Sequence, residues 1–149
     1  MKRLILVLLI LILINFSCRN KSNTEIANVN LELAERSFAA FNAHNWEQHA
    51  QFFSDSCTYL DPSYGNEYVT KSRKEKIEKY RKMEMTSPDI KDEITSLFAV
   101  DDKVVVQFIS SGTAKMETRD YMWSLPICCI FTFKDGIIIR DETYYNRGN

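Results

Sequence analysis

The stretch ICCIFTFKDGIIIRDETYY, residues 127–145, has two apolar runs on either side of Asp135-Gly136. An Asp-Gly pair between apolar runs is a strong indication of a two-residue β-hairpin loop. The sequence therefore predicts two antiparallel strands near the end of the chain, over residues 121–133 and 137–145. Arg140, Asp141 and Glu142 interrupt the second run, so the face that each of these charges takes bears directly on function.

The loop also predicts which residues face one another. If Asp135-Gly136 is a two-residue loop, Lys134 pairs with Ile137, and the later pairs follow by counting outward along both strands. Those pairs are Thr132 with Ile139, Ile130 with Asp141, and Cys128 with Thr143. A bulge near Pro126 would displace only the residues beyond it.

The rest of the chain is predicted to hold three helices and three further strands. Capping boxes at residues 22–25 and 72–75 begin the first and third helices, Asn45 caps the second, and Pro88 ends the third. Runs of apolar and β-branched residues predict strands over residues 57–61, 90–100 and 104–111. This order of helix, helix, strand, helix and four strands predicts an α+β domain with a largely antiparallel sheet.

The first 17 residues have the pattern of a secretory signal peptide. Lys2-Arg3 precedes an apolar run over residues 4–14, which is shorter than the about 20 residues that span a membrane. The Ser17-Cys18 pair that follows is similar to a bacterial lipoprotein signal, in which cleavage precedes a cysteine that carries diacylglycerol. We expect export across the inner membrane and lipid anchoring in the bacterial cell envelope, with a signal peptide over 1–17, a lipidated tether over 18–24 and a domain over 25–149. A signal cut elsewhere, or an N-terminal anchor helix, is the alternative.

Composition argues against several classes of function. Removal of Lys2 and Arg3 leaves 17 of the 19 basic residues against 20 acidic ones, a net charge of −3, which does not suggest a nucleic-acid binder. Cys128 and Cys129 are adjacent and point to opposite faces of a strand, so a bridge between them is not expected. No cysteine spacing resembles a zinc site, and the two histidines have no partnering cluster. We therefore expect no metal and no cofactor.

The third predicted helix is rich in charge. Residues 72–85 contain six basic side chains with three glutamates interleaved. One interpretation is a surface for an anionic partner or a membrane. The other is a solvated face with i,i+4 pairs such as Glu75–Lys79 and Glu78–Lys82, and the interleaved acids favour it.

Three segments carry a resemblance to a known fold: SFAAFNAHNWEQHAQFFSDSCTYLDPSYG (residues 37–65), SLPICCIFTFKDG (124–136) and RDETYYN (140–146). Together with the element order, they resemble the nuclear transport factor 2-like fold and, within it, the SnoaL-like group. The resemblance implies a cone in which three N-terminal helices cover a curved sheet around an apolar pocket. It implies that the outer face of the sheet often forms a dimer. It implies no single activity, because members include isomerases, cyclases, dehydratases and proteins that only bind.

The ketosteroid isomerases of this fold place a general-base aspartate before a proline and a nearby glycine, and Asp61-Pro62 with Gly65 matches that pattern. Their oxyanion donors, a tyrosine and a protonated aspartate, match Ser37 and Cys128 here. Both are poor substitutes, and the loss of one such donor costs about 3–4 kcal/mol of transition-state stabilisation. Steroid isomerase activity is therefore not expected. Asp61 has a structural alternative, because aspartate before proline commonly begins a turn.

The resemblance places Cys128 toward the pocket. With the predicted register, Asp141, Thr143 and Tyr145 then line the pocket as well. On the other face we expect residues that a dimer could cover, namely Arg140, Glu142, Tyr144, Ile127, Cys129 and Phe131. A buried Asp141 is costly unless a ligand, Thr143, Tyr145 or Tyr59 satisfies it.

We take Asp61 and Asp141 as candidate catalytic acids. The candidate ligand contacts are Trp46, Tyr59, Tyr64, Phe98, Phe108, Trp123, Cys128, Thr143 and Tyr145. Residues of the types of Trp46, Phe98, Phe108 and Trp123 are also common in a core.

Two functions fit these residues. The first is binding of a small hydrophobic molecule, with cofactor-independent proton transfer of the isomerase, cyclase or dehydratase kind. The alternative is a non-catalytic dimeric lipoprotein whose cavity is filled by its own side chains. An open pocket of about 300 Å³ or more would favour the first, and a packed interior would favour the second.

Overall fold

The computed structural model describes residues 23–146. In this range it has three α-helices and six β-strands: α1 (Asn23–Asn42), α2 (Trp46–Gln51), β1 (Phe53–Leu60), β2 (Val69–Lys71), α3 (Arg73–Thr86), β3 (Lys91–Val100), β4 (Lys103–Ala114), β5 (Tyr121–Lys134) and β6 (Ile137–Tyr144). The predicted signal peptide, the first residue of the first capping box and Cys18 lie outside the described residues. No helix between residues 23 and 146 is long and apolar enough to cross a membrane.

The strands form one sheet in the order β2-β1-β6-β5-β4-β3. Every neighbouring pair is antiparallel except β1 and β6, which are parallel. The helices pack on one face of this curved sheet, so the predicted α+β cone with three helices on a largely antiparallel sheet is confirmed. Strand β2 was not predicted, and β1 begins at Phe53, four residues before the predicted start at Cys57.

The helix boundaries follow their capping residues. The Asn45 side chain accepts a hydrogen bond from the backbone N–H of Gln48, and Ser72 and Glu75 form a reciprocal capping box at the start of α3. These side chains satisfy backbone donors that have no partner within their helices. The third helix ends at Thr86, just before Pro88, as predicted.

The main core lies between α1 and the inner face of the sheet. Ala34 and Phe38 of α1 pack against residues that alternate along β4 and β5, namely Val104, Val106, Phe108, Cys129, Phe131 and Phe133. This period of two places one face of each strand against the helices. A smaller cluster of Phe41, Trp46 and Ile90 joins α1 to the other two helices.

The hairpin between β5 and β6 has the predicted loop but not the predicted register. Asp135 and Gly136 both have positive φ, at 52° and 76°, which suits an Asp-Gly loop, and Lys134 pairs with Ile137. The register then shifts, because Phe133 pairs with Ile138 but Thr132 pairs with Arg140. Ile139 is the extra residue of a β-bulge only three residues from the loop.

With Asp141 on the inner face, as predicted, the bulge shifts the pairing of β5 with β6 by one residue. Each β5 residue therefore lies on the opposite face of the sheet from the predicted one, because successive side chains of a strand alternate between faces. Asp141 faces Phe131, and Thr143 faces Cys129. The predicted pairs Ile130–Asp141 and Cys128–Thr143 are therefore wrong. Cys129, Phe131 and Ile127 belong to the inner face, and Cys128 and Ile130 lie outside with Arg140, Glu142 and Tyr144.

Candidate functional site

A cavity of about 180 Å³ lies between the helices and the inner face of the sheet. Its volume is below the threshold of about 300 Å³ that would favour an open ligand pocket, yet the interior is not fully packed. Most of its wall is apolar, contributed by Phe38, Phe41, Phe53, Met83, Phe108, Trp123, Leu125 and Ile127. Polar side chains enter this wall in four small groups.

The outer pair is Asp61 and Lys79, whose Oδ2 and Nζ are 2.7 Å apart. Asp61 Oδ1 also accepts hydrogen bonds from the backbone N–H of Ser63 at 2.7 Å and from the hydroxyl of Tyr145 at 3.3 Å. Burial alone raises the pKa of Asp61, but the Lys79 charge and these hydrogen bonds outweigh burial and hold the pKa below its ordinary value. Asp61 therefore stays ionised, and it begins the short 3-10 turn Pro62–Tyr64 as the structural alternative expected.

The inner pair is Asp141 and Lys76, with 3.9 Å between Oδ2 and Nζ. The Thr143 hydroxyl donates to Asp141 Oδ1 at 2.7 Å. Burial raises the pKa of Asp141, although the charge of Lys76 and the Thr143 hydrogen bond oppose the rise. Burial also lowers the pKa of Lys76 to about 8, although Asp141 acts to raise it. Both charged forms are disfavoured because the pair is removed from water.

Lys76 is 2% exposed and projects into aromatic rings. Its Nζ is 3.5 Å from the centroid of the Phe53 ring, 4.9 Å from that of Tyr59 and 5.1 Å from that of Tyr80. It also lies 3.4 Å from the Tyr80 hydroxyl oxygen, to which it donates. We call these three rings the aromatic cage, and their faces partly compensate the charge for its loss of water.

Asp92 of β3 is the third polar group. Asn42 binds its backbone with two hydrogen bonds, of 2.7 and 2.8 Å, which hold the residue in place. Its side-chain Oδ1 is buried without a hydrogen-bond partner among the described residues. Burial raises the pKa of Asp92 to about 7, opposed by a hydrogen bond from Ser110, its partner on β4. This carboxyl group therefore changes charge near neutral pH.

His49 of α2 is the fourth polar group. Its Nδ1–H donates to the carbonyl oxygen of Ser37 at 2.9 Å, so the proton is on Nδ1 and Nε2 has a free lone pair. Nε2 is buried without a partner among the described residues. Burial, with help from the Lys76 charge, lowers the pKa of His49 to about 3. His49 is therefore neutral, and its Nε2 can accept a hydrogen bond. The Ser37 hydroxyl oxygen and carbonyl oxygen both lie within hydrogen-bond distance of His49 Nδ1.

The structure brings together six of the predicted site residues. The cavity wall contains Asp61, Asp141, Phe108, Trp123, Thr143 and Tyr145. The others lie elsewhere. Trp46 belongs to the smaller core cluster and donates to Glu84 at 2.6 Å, and Tyr59 is part of the main core. Tyr64 packs at the edge of that core, and Phe98 is 48% exposed on β3. Cys128 lies on the outer face because of the bulge, so its match to an oxyanion donor does not hold.

Of the residues that form the four polar groups of the wall, His49, Lys76, Lys79 and Asp92 were not predicted. The interpretation of α3 as a solvated charged face is wrong for Lys76, and Lys79 pairs with Asp61 rather than Glu75. A helical spacing could have indicated Lys76, because it shares one face with Tyr80 and Met83 at i+4 and i+7. No group of three or more metal-binding side chains occurs between residues 23 and 146.

Comparison with solved structures agrees with this architecture. A hypothetical protein from Catenulispora acidiphila with a ketosteroid isomerase-like fold, solved with trimethylamine, is 18% identical, with a TM-score of 0.66 over 78% of this chain and 86% of that chain. A protein from Jannaschia sp. described as a SnoaL-like polyketide cyclase is 18% identical, with a TM-score of 0.68 over 86% of this chain and 91% of its own. An LEH-like epoxide hydrolase from M. tuberculosis is 13% identical, with a TM-score of 0.64 over 80% of this chain and 84% of that chain. At these identities the likeness concerns the fold.

No curated protein matches the sequence significantly. Residues 34–141, however, match the model of the SnoaL-like domain. This match begins in α1, ends in β6 and includes all four polar groups of the cavity wall. Because it extends over well more than half of the 149 residues, the chain belongs to the SnoaL-like domain family.

Proposed function

We propose that the cavity binds a small, mainly apolar, uncharged molecule that carries a hydrogen-bond donor, and that a carboxyl group of the wall exchanges a proton with it without a cofactor. The observation that carries the proposal is a pair of buried acceptors in one mainly apolar wall, Asp92 Oδ1 and His49 Nε2, for which residues 23–146 provide no hydrogen-bond partner. Buried polar atoms are nearly always hydrogen-bonded, so two exceptions in one cavity call for an explanation. A ligand with an O–H or N–H group would supply the missing donor.

The size of the cavity limits the ligand. A volume of about 180 Å³ is too small for drug-sized molecules, which occupy pockets of about 300–1,000 Å³. An apolar cavity of about 150 Å³ is known to hold benzene. The proposed ligand is therefore of the order of one six-membered ring with one or two polar substituents.

The charges of the wall argue against an amine ligand. The Catenulispora relative of similar fold was solved with trimethylamine. In this chain the Lys76 ammonium already lies against the aromatic cage, and Lys79 lies 4.3 Å from the centroid of the Tyr64 ring. These two cations occupy the positions over ring faces that a ligand cation would prefer and would repel it.

Of the three carboxyl groups, Asp92 is the best suited to proton transfer. A general base works best when its pKa is close to the working pH, and the pKa of Asp92 is about 7. Asp92 lines the cavity, and its Oδ1 has no hydrogen-bond partner among the described residues. Asp61 is less suited, because Lys79 and three hydrogen bonds keep its pKa low. Asp141 is intermediate, since its pKa is raised but its oxygens lie against Thr143 and Lys76.

The test is hydrogen exchange at carbon in small hydroxyketones such as 2-hydroxycyclohexanone, dissolved in D2O with the full chain and followed by mass spectrometry. We expect deuterium uptake that rises with pH, levels above about pH 7 and is lost in Asp92→Asn. Asp61→Asn is the matched control, because it removes a carboxyl group from the same wall and should keep the exchange. Uptake that is absent, or equal in the parent and in Asp92→Asn, would refute proton transfer by Asp92.

Binding is tested separately, by native mass spectrometry of the full chain purified from its own cell envelope. A bound molecule of about 100 Da that is lost on denaturation is expected from a one-ring ligand. A parent that carries no molecule, and takes up neither 2-hydroxycyclohexanone nor phenol, would favour the non-catalytic alternative. The small cavity and the position of Lys76 in its aromatic cage are the observations that favour that alternative.

The proposal also includes location and assembly. The apolar run over residues 4–14 and the Ser17-Cys18 pair support lipid anchoring of the domain in the cell envelope through Cys18. The corrected outer face of β5 and β6, with Cys128, Ile130 and Tyr144, supports a homodimer through the sheet, because these residues are only partly covered by the chain itself.

A further inference from the structure

Lys76 remains without a role in the proposed proton transfer, although it is the most unusual group of the cavity. It is an amine that is 2% exposed, in a wall that is otherwise mainly apolar. The neighbouring lysines of α3 differ from it. Lys74 and Lys82 are exposed, and Lys79 forms a close ion pair with Asp61. Within residues 23–146, the polar partners of Lys76 Nζ are a carboxylate oxygen of Asp141 at 3.9 Å and the hydroxyl of Tyr80 at 3.4 Å.

We infer that Lys76 is a carbonyl-reactive amine, which forms an imine with a small aldehyde or ketone bound in the cavity, with Asp141 as the neighbouring proton donor and acceptor. The inference requires the cavity but not proton transfer by Asp92, so either proposal can fail alone. Buried lysines are the lysines that enzymes use for such chemistry, because an amine must be neutral to act as a nucleophile.

The arrangement of groups suits each step of the reaction. The nitrogen lone pair of neutral Lys76 attacks the carbonyl carbon, the carbonyl oxygen gains a proton, and the nitrogen loses one, which gives a carbinolamine. The Asp141 carboxyl group then donates a proton to the carbinolamine hydroxyl, which leaves as water while the nitrogen lone pair forms the C=N bond of an iminium ion. The iminium N–H proton returns to the Asp141 carboxylate, which gives the neutral imine and restores the carboxyl group. Amine and carbonyl compound become imine and water, so no oxidant or reductant is needed.

Burial makes the neutral amine available. With a pKa of about 8, about 9% of Lys76 is neutral at pH 7, against about 0.03% of a lysine with the ordinary value of 10.5. The ratio is about 300-fold. Several titratable groups face Lys76: Asp141 from β6, Asp61 from the turn after β1, Lys79 and Tyr80 from α3, His49 from α2, and Cys57 and Tyr59 from β1. Asp141 acts to raise the pKa and Lys79 to lower it, but burial is the largest influence.

The experiment is reductive trapping. The full chain is incubated with propanal and sodium cyanoborohydride at pH 7, digested, and mapped by mass spectrometry for alkylated lysines. We expect Lys76 to be labelled at least about tenfold faster than Lys74 and Lys82, which lie on the same helix and are exposed. That expectation is well below the 300-fold ratio of neutral amine, because a less basic amine is also a weaker nucleophile and access to the cavity is restricted.

Two controls test the labelling of Lys76 in the parent chain, and a variant adds a third. In guanidinium chloride the preference for Lys76 should disappear, because all three lysines then have ordinary environments. In the native chain the labelling rate of Lys76 should rise with pH and level above about pH 8. Lys76→Arg should lose the fast site and leave the slow ones. Labelling of Lys76 that is absent, or no faster than that of Lys74 and Lys82 in the native chain, would overturn the inference.

Discussion

Replacement of Asp141 by Asn tests whether the inner pair is held by charge. Asp141 Oδ2 and Lys76 Nζ are 3.9 Å apart, and two unit charges at that distance interact by about 4 kcal/mol at an effective dielectric constant of about 20. Lys76 can avoid part of this loss, because a buried charge without a partner gives up its proton. With a pKa of about 8, deprotonation of Lys76 at pH 7 costs about 1.4 kcal/mol. In Asp141→Asn, loss of the Lys76 proton therefore costs less than an unpaired charge. The coupling energy between Asp141 and Lys76 should be at most about 1.4 kcal/mol.

The measurement is a double-mutant cycle of the unfolding free energy, from urea unfolding of the full chain at pH 7. The four forms are the parent, Asp141→Asn, Lys76→Met and the double variant, and the loss of the Thr143 hydrogen bond cancels between the two backgrounds. Asp141→Asn should destabilise the parent. In Lys76→Met the same change should be neutral or stabilising, because it removes a buried carboxyl group that has lost its cation.

Two outcomes would refute the reasoning. Additivity within about 0.5 kcal/mol would mean that the two groups do not interact in the folded protein. A coupling energy of about 4 kcal/mol would mean that Lys76 keeps its proton in Asp141→Asn, so that burial does not lower its pKa as the structure indicates.

Three further predictions concern the outer pair, the anchor and the assembly. Asp61→Asn should cost about 1.5–3 kcal/mol at pH 7, as for other hydrogen bonds to charged groups. Because the pKa of Asp61 is lowered in the folded state, the difference from the parent in thermal melts should be complete above about pH 4 and shrink as pH falls further; a difference that grows in acid would contradict this. Cys18→Ala should release the protein from the membrane fraction, and a parent whose mass shows no lipid would exclude acylation. Sedimentation of the full chain at micromolar concentration should show a dimer that Ile130→Asp disrupts, and a parent that sediments as a monomer would remove the argument.

The order of elements was predictable because its signals are local. The Ser72–Glu75 capping box and the Asn45 cap each concern a few neighbouring residues, and the structure contains both. The Asp135-Gly136 loop is equally local, since only residues that tolerate positive φ suit both positions. The three-residue strand β2 escaped prediction because it is defined by pairing with β1 rather than by its own sequence.

The register of the last hairpin was not predictable in the same way. Nothing in the sequence IIIRDETY indicates that Ile139 leaves the ladder while Ile138 and Arg140 remain in it. A bulge responds to packing across the whole sheet, and here it allows Ile138 and Asp141 both to point toward the core although they are three residues apart. The inward position of Asp141 was nevertheless predicted with the wrong partner, because two errors cancelled: Cys128 was placed on the inner face, where the structure has Cys129, and the predicted register lacked the bulge.

The polar wall was difficult to predict for a different reason. Lys76, His49 and Asp92 come from α3, α2 and β3, and their meeting depends on how helices close over the sheet. On α3 the charge pattern alone favours a solvated face, and most of the helix has one. Lys76 departs from the pattern because its ammonium group lies among aromatic rings and within reach of Asp141.

Burial of the Lys76 side chain lowers the stability of the fold, and the size of this loss bears on the role of the residue. A lowering of its pKa from 10.5 to about 8 corresponds to about 3 kcal/mol of folding free energy at neutral pH, a large part of the 5–15 kcal/mol by which domains are usually stable. Methionine would fill similar space at no such cost, and replacement of a buried ion pair by uncharged side chains is often stabilising. If the double variant of the cycle is more stable than the parent, the inner pair does not serve the fold. The inner pair would then lower the stability of the fold while supplying a reactive amine. A double variant that is more stable than the parent and has lost the reactive amine would show that the same two side chains cause both effects.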